Sequence, residues 1–307
     1  MTPDLIRDAY QRIAPHVRRT PVLRLEAGAL GVGAALTLKL ENMQHAGSFT
    51  PRGALKRMLS AVLPVAGVIA ASGGNHGAAV AWAAARLGVN AEIFVPSVAS
   101  PAKVERIRGF GATVHVGGAG YADAFAASQL RAAESGALVV HAYDQPETIA
   151  GQGTVALEFE AEAPELDSVI VACGGGGLVA GVAAWFVGRV KVIAVEPEDC
   201  PTLSAALRAG RPVDVEVGGL AVDSLGARRI GELTLPLCVR YVAHSVLVSD
   251  AAIRAAQLAQ WREFRIAAEP GGAAALAALI SGAYSPKPGE RVGVLVCGGN
   301  LDPATLA

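Results

Sequence analysis

Charged side chains are scarce in this sequence. Asp, Glu, Lys and Arg make up 17% of its 307 residues, against 52% hydrophobic residues. The 26 basic and 27 acidic groups leave a net charge of −1, and no basic block stands out. That argues against nucleic acid or an anionic membrane as partner and leaves a small neutral or zwitterionic ligand as the expected one. A long hydrophobic run is missing too. No stretch of about 20 apolar residues is free of Gly and charge, so no transmembrane helix is expected. Met1–Asp8 begins acidic and then turns amphipathic, unlike a secretory leader. The four cysteines, Cys173, Cys200, Cys238 and Cys297, lie far apart and form no CxxC pair. Their spacing suits neither a zinc site nor a redox couple, and a reduced, cytoplasmic setting is the simplest expectation.

Small residues fill the space that charge leaves. Much of the apolar excess is alanine, and 36 glycines accompany it, a composition for close packing and tight turns. The length allows one large domain or two smaller ones. From about residue 66, short apolar runs alternate with helical patterns. Strands are expected at Gly67–Ala71, Ala91–Val95, Ala112–Val116 and Ala137–Val140, with helices at Ala78–Leu87, Pro101–Arg108 and Tyr121–Glu134. Further on, strands are expected at Ser168–Ala172, Lys191–Val195 and Val292–Val296. Helices are expected at Thr148–Glu160, Leu178–Phe186, Asp250–Phe264 and Ala273–Leu279. This rhythm predicts parallel sheets covered on both faces. The strands are too many for one compact half, so two α/β domains with a cleft between them are expected. The last strand ends so near the C-terminus that no further domain is expected after it.

Four segments fall at the carboxyl ends of expected strands, where ligands gather in open α/β sheets. Cys173-Gly174-Gly175-Gly176-Gly177-Leu178 follows a strand and opens a helix. Four glycines let the backbone turn sharply and aim several N–H groups at one point, to which the helix dipole adds positive charge. The loop has neither a P-loop lysine nor the spaced glycines of a dinucleotide fingerprint, which favours a single phosphate. A tight turn that binds nothing is the alternative. Ser72-Gly73-Gly74-Asn75-His76-Gly77 is a second such turn, fit to hold a carboxylate, with Asn75 able to donate to a phenolate-like oxygen. Asn75 and His76 are also candidates simply to cap the next helix, and for His76 a structural role is expected before a catalytic one. Gly47–Ala54 follows the strand Leu36–Leu40, and Cys297-Gly298-Gly299-Asn300 closes the last strand.

Taken in order, Thr20-Pro21-Val22, Lys39-Leu40-Glu41-Asn42, Gly47–Ala54, Ser72–Gly77, Gly174–Gly177, Glu196-Pro197, Glu269-Pro270 and Cys297–Asn300 resemble the threonine and serine dehydratase family of pyridoxal-phosphate enzymes, which includes serine racemase. The resemblance covers almost the whole chain. It implies the fold-type-II, tryptophan synthase β-like architecture, with a large cofactor-binding domain of residues 1–50 and 142–307 and a small domain of 51–141. It also implies pyridoxal 5′-phosphate as cofactor, a small amino acid as substrate and a homodimer. Phe49 would lie against the pyridine ring and Asn75 would bond its 3′ oxygen. Gly174, Gly175, Gly176 and Gly177 would cradle the phosphate. Cys297 would be the small neutral partner of the pyridine nitrogen, which favours β-elimination. Ser72, Gly73, Gly74, Asn75 and His76 would form the substrate turn. In serine racemase a second serine stands at position 73; Gly73 has no side chain to move a proton, which points to the dehydratase branch. Glu196 matches one carboxylate of a cation site in some relatives, with Asp199 as a candidate helper. A salt-bridged or solvated surface acid is the preferred reading of both, so no metal is assigned.

The sequence departs from the family at one decisive place. The family motif is Ser-Phe-Lys-x-Arg-Gly-Ala, and this chain has Ser48-Phe49-Thr50-Pro51-Arg52-Gly53-Ala54. The family lysine links covalently to the cofactor and then moves protons at the substrate α-carbon. A threonine hydroxyl does neither. Lys56 lies about 9 Å further along a helix and is rotated away, and Lys39 sits inside a strand. Neither is expected to replace the missing amine. Three explanations stay open: a deliberate change that blocks turnover, a natural binding protein, or rescue by another amine. The expected reaction of a lysine-bearing form is conversion of L-serine or L-threonine to a 2-oxo acid and ammonia. A cofactor- or amino-acid-binding homologue without catalysis and a related hydroxy-amino-acid lyase are the alternatives.

Overall fold

A computed structural model describes residues 1–306. Ten strands run through them: β1 (Val22–Leu25), β2 (Leu36–Leu40), β3 (Val68–Ala71), β4 (Ala91–Val95), β5 (Thr113–Val116), β6 (Leu138–Val139), β7 (Ser168–Ala172), β8 (Lys191–Pro197), β9 (Val242–Val248) and β10 (Val292–Val296). They form two sheets. The larger has the order β1-β2-β10-β7-β8-β9 and the smaller β5-β4-β3-β6. Every neighbouring pair is parallel except β1 with β2. Strands buried on both faces have no solvent side to alternate with, so β7 and β10 read as apolar runs, while β2 is equally buried but carries Thr37 and Lys39.

The helices that cover and connect these sheets are α1 (Pro3–Ile13), α2 (Pro51–Leu59), α3 (Asn75–Leu87), α4 (Pro101–Gly109), α5 (Tyr121–Ser135), α6 (Pro146–Glu162), α7 (Gly177–Phe186), α8 (Thr202–Ala209), α9 (Val222–Leu225), α10 (Thr234–Tyr241), α11 (Asp250–Phe264) and α12 (Pro270–Ile280). Several begin with a proline in the first turn, where its missing N–H costs nothing. The α6–α7 crossing depends on glycine. A Cβ on Gly181 would meet the Gly153 nitrogen and the Ile149 carbonyl at 2.6 Å, so the two backbones meet without side chains between them. Around each sheet lies its own apolar core, one including Leu38, Ile170, Val294 and Phe159, the other Leu55, Ile93, Val80 and Ile107.

One buried ionic cluster ties α2 to the larger sheet. Arg52, on the first turn of α2, is fully buried. It donates from Nε and Nη2 to Glu41 at 2.8 Å each, and from Nη1 and Nη2 to Glu158 on α6 at 2.9 and 2.8 Å. Burial alone would raise the Glu41 pKa, but the adjacent guanidinium reverses the effect and the carboxyl ends below its ordinary range. Lys39 joins the same cluster, 3.2 Å from Glu158 and 2.7 Å from Glu162. Its place inside β2 is structural, as the sequence suggests.

The main elements match the sequence expectation, with differences at the ends and edges. Helix α3 starts at Asn75 rather than Ala78, α6 at Pro146 rather than Thr148, and α12 at Pro270 rather than Ala273. In each case the extra turn is made by Gly, Pro or polar residues that interrupt the apolar pattern. Strands β1 and β9 have no counterpart in that reading. Both are edge strands of mixed exposure, so neither shows a continuous apolar run. None of the helices among the described residues is long and apolar enough to cross a membrane.

Candidate active site

The four segments singled out in the sequence all follow strand carboxyl ends, and three of them are stitched directly together. Ser48 bridges to Gly298, the Phe49 amide donates to the Cys297 carbonyl at 3.0 Å, and the Gly299 amide donates to Gly47 at 2.9 Å. Asn300 then reaches the third segment. Its Nδ2 donates to the Ala46 carbonyl at 2.8 Å and to Asn75 Oδ1 at 2.6 Å. Asn75 Nδ2 in turn donates to Glu269 Oε1 at 2.5 Å. The Asn75 amide is thus oriented from both ends.

Gly174–Gly177 joins this group through α9 and α12. Gly174 packs against the backbone of Leu225, the Ser224 hydroxyl accepts from the Gly271 amide at 3.0 Å, and the Cys297 thiol lies 3.3 Å from the Gly271 carbonyl. The loop is held by its carbonyls. Thr202 Oγ1 donates to Gly174 at 2.6 Å, while Gly175 accepts from the Thr234 hydroxyl at 3.1 Å and from the Gly231 amide at 3.2 Å. The Gly174, Gly175 and Gly176 amides have no acceptor among the described residues. They sit at the N-terminus of the wholly buried helix α7. Gly176 has φ of +92°, which favours glycine, and a Cβ there would meet Thr234 Oγ1 at 2.7 Å. Unpartnered amides at a helix N-terminus fit a phosphate.

Thr50 is buried immediately before α2, and the Ser48 hydroxyl donates to its Oγ1 at 3.0 Å. No amine stands there. Lys56 turns away to an ion pair with Asp8 at 3.0 Å. Phe49 is half-buried against the larger core, and burial raises the Cys297 thiol pKa, keeping it neutral. On the second turn, Ser72 Oγ accepts from the Gly74 amide at 3.1 Å. A Cβ at Gly73 would come within 2.9 Å of Ala99 and 3.0 Å of Val95, so that turn is tailored to a bare backbone.

The structure places the His76 side chain outside the substrate turn and Glu196 away from the surface. His76 does not offer its side chain to the turn. Its Nε2 meets the Val140 carbonyl at 2.8 Å inside the smaller unit, and burial pulls its pKa down to about 4, so the ring is neutral. The expected structural role is the one it has. Glu196 is neither salt-bridged nor solvated. It is fully buried and accepts from the Leu203 and Ser204 amides at 2.6 and 2.8 Å and from Thr202 at 3.1 Å, thereby capping α8. Burial raises its pKa to about 7 against those donors. Asp199 is exposed. No group of three His, Cys, Asp or Glu side chains suited to a metal occurs among the described residues.

The structure adds residues to which the sequence reading gave no role. Tyr143 lays its ring against Gly175, closing one wall of the glycine loop. Glu269 is buried beside Asn75, and burial pushes its pKa up to about 7 despite the Asn75 bond and the Lys103 and Arg106 cations. From α4 of the smaller unit, Arg106 donates to Asn300 Oδ1, and Lys103 pairs with Asp223 at 2.7 Å. These contacts cross the cleft around a cavity of about 20 Å³ lined by Gly73, Gly74 and Asn75. Glu269 lay within a quoted motif. Lys103, Arg106 and Asp223 carry no local signal, because their meeting depends on how the two units pack.

Two mostly parallel-sheet units, a glycine loop whose open amides fit a phosphate and an oriented asparagine pair define an α/β protein with its candidate site in the cleft. Residues 13–298 match the family described as pyridoxal-phosphate dependent enzymes, and the chain belongs to that family, whose cofactor is pyridoxal phosphate. It is 39% identical over 289 residues to the biosynthetic L-threonine dehydratase of Escherichia coli K12, covering 92% of this chain and 56% of that protein. It is 38% identical over 312 residues to phenylserine dehydratase of Ralstonia pickettii, covering 99% and 95%. The structure of maize serine racemase superposes with a TM-score of 0.93 at 35% identity, covering 99% of this chain and 95% of that one. The chain thus spans little more than half the length of the biosynthetic dehydratase it matches.

Proposed function

We propose that this chain is a threonine/serine dehydratase-like ammonia-lyase whose turnover is severely reduced by Thr50. The observation that carries the reading is the pairing of an unpartnered glycine cradle with an oriented Asn75, in a cleft where the family lysine is absent. When bound, pyridoxal phosphate supplies an electron sink for negative charge at an amino-acid α-carbon. The Gly174–Gly177 amides would hold its phosphate, and the second N–H of Asn75 Nδ2, beside the one given to Glu269, would donate to its phenolic oxygen. Phe49 would flank its ring. Cys297 would offer the pyridine nitrogen a neutral group and leave that nitrogen unprotonated. Ser72, Gly73 and Gly74 would bind the substrate carboxylate through the turn's hydroxyl and amides. What Thr50 fails to provide is a base at the α-carbon, since a hydroxyl lies far outside the useful pKa range.

The same reading carries a small hydroxy-amino acid as substrate, a homodimeric assembly and a cytoplasmic setting. It also divides the chain into a large domain of residues 1–50 and 142–307 and a small one of 51–141, a division that the membership of the two sheets supports. The test is incubation of the unaltered chain and of Thr50→Lys with pyridoxal phosphate and L-serine or L-threonine. The unaltered chain should release 2-oxo acid at no more than a trace rate, and the variant at an enzymatic one. Rapid release by the unaltered chain, or none by a folded, cofactor-loaded variant, would overturn the proposal.

A further inference from the structure

Resting on that reading, we propose that Lys103 supplies the amine that position 50 lacks, and joins the chain covalently to the cofactor from the opposite wall of the cleft. The sequence contains five lysines, and the structure removes four. Lys39 is fully buried, donating to the Thr20 carbonyl at 2.6 Å and paired with Glu158 and Glu162. Lys56 is directed to Asp8 on α1 and does not line the cavity beside Asn75. Lys191 opens β8 and Lys287 precedes β10, so both lie at the amino ends of strands whose carboxyl ends build the site.

Lys103 differs in place and in company. It stands on the first turn of α4 and lines the same small cavity as Asn75. In pyridoxal phosphate the aldehyde is on the ring carbon next to the one bearing the phenolic oxygen. An Asn75 that holds that oxygen therefore brings the aldehyde beside the cavity that Lys103 shares. The ammonium, 2.7 Å from Asp223 and partly exposed, gives its proton to solvent. The neutral amine then adds its electron pair to the aldehyde carbon. Loss of water leaves a carbon–nitrogen double bond between that carbon and Nζ. The step needs only the aldehyde, the lysine and a proton acceptor. It restores the covalent link but not a base at position 50, so it is compatible with slow turnover.

The experiment is borohydride reduction of the full chain loaded with pyridoxal phosphate, followed by proteolysis and mass spectrometry. The expected result is a reduced cofactor adduct on the Lys103 peptide, exceeding that on any other lysine or on the Met1 amine at least tenfold. Lys103→Arg keeps the charge facing Asp223 but cannot form the link. It should lose the adduct at least tenfold while retaining cofactor, followed by its fluorescence after gel filtration. In Thr50→Lys the adduct should move to position 50. Cofactor retained without a Lys103 adduct would overturn this inference and leave the proposed function standing. Cofactor retained by neither protein would overturn both.

Discussion

Glu269 makes the stability of this protein depend on pH in a way a single substitution should remove. The carboxyl is 5% exposed, and burial raises its pKa from 4.5 to about 7, against the Asn75 hydrogen bond and the Lys103 and Arg106 cations. A folded-state pKa above the unfolded value means the fold prefers the neutral acid. The resulting stability is fully present below about pH 4.5 and is lost as pH rises through about 7. At about 1.4 kcal/mol per unit, the shift corresponds to roughly 3 kcal/mol, most of it developing between about pH 5 and pH 8. With an unfolding entropy near 2.1 cal/mol/K per residue, that is a change of about 4 °C in Tm for a chain of this length. Glu269→Gln keeps an oxygen for Asn75 and has no proton to lose. Scanning calorimetry of both proteins at pH 5 and pH 8 should show the variant gaining about 4 °C on the unaltered chain over that interval. A Tm difference that stays constant with pH would refute the assignment of a near-neutral, buried Glu269.

Arg52→Met would leave Glu41 and Glu158 buried without their guanidinium, and should cost about 3–5 kcal/mol, read as a lower urea midpoint. Gly176→Ala would force a side chain into a left-handed conformation and against Thr234 and Ile230, at a strain of about 1–2 kcal/mol. Its cofactor affinity, titrated by fluorescence, should fall about tenfold or more, and an unchanged affinity would count against the glycine cradle. Thr50→Lys should gain both a reducible cofactor link at position 50 and serine or threonine dehydration.

Where sequence reading succeeded and where it stopped follows from what burial does to a pattern. Strands β7 and β10 are enclosed on both faces, so their apolar runs are visible without any knowledge of neighbours. The glycine turns at 73–74 and 174–177 are visible because their shape needs those residues locally. Strands β1 and β9 lie at sheet edges, where half of each strand answers to solvent. Glu196 was misread for a related reason. A carboxylate after an apolar strand suggests a surface, unless one knows that the amides of α8 fold back to meet it. Lys103, Arg106 and Asp223 converge only through the packing of α4 on α9 and on the last turn of the larger unit.

The motif around position 50 serves two purposes that the structure separates. Arg52 neutralises two buried carboxylates, and the Gly53 amide donates to Gln152 Oε1 at 3.2 Å where α2 meets α6. Those residues are required for packing whether or not any reaction occurs, so their presence beside Thr50 does not report on activity. The glycine loop and Asn75 are different. Amides at Gly174, Gly175 and Gly176 that find no protein acceptor, beside a helix N-terminus, satisfy nothing in the fold itself. Asn75 is likewise fixed by Asn300 and Glu269 at the cleft, at the expense of burying an acid that prefers its proton. The glycines themselves are also required by packing, since Leu225, Tyr143 and Thr234 leave no room for side chains there, but their open amides are not. Those open amides, and an Asn75 oriented beside a buried acid, are what support the proposed cofactor binding independently of what Thr50 does to turnover.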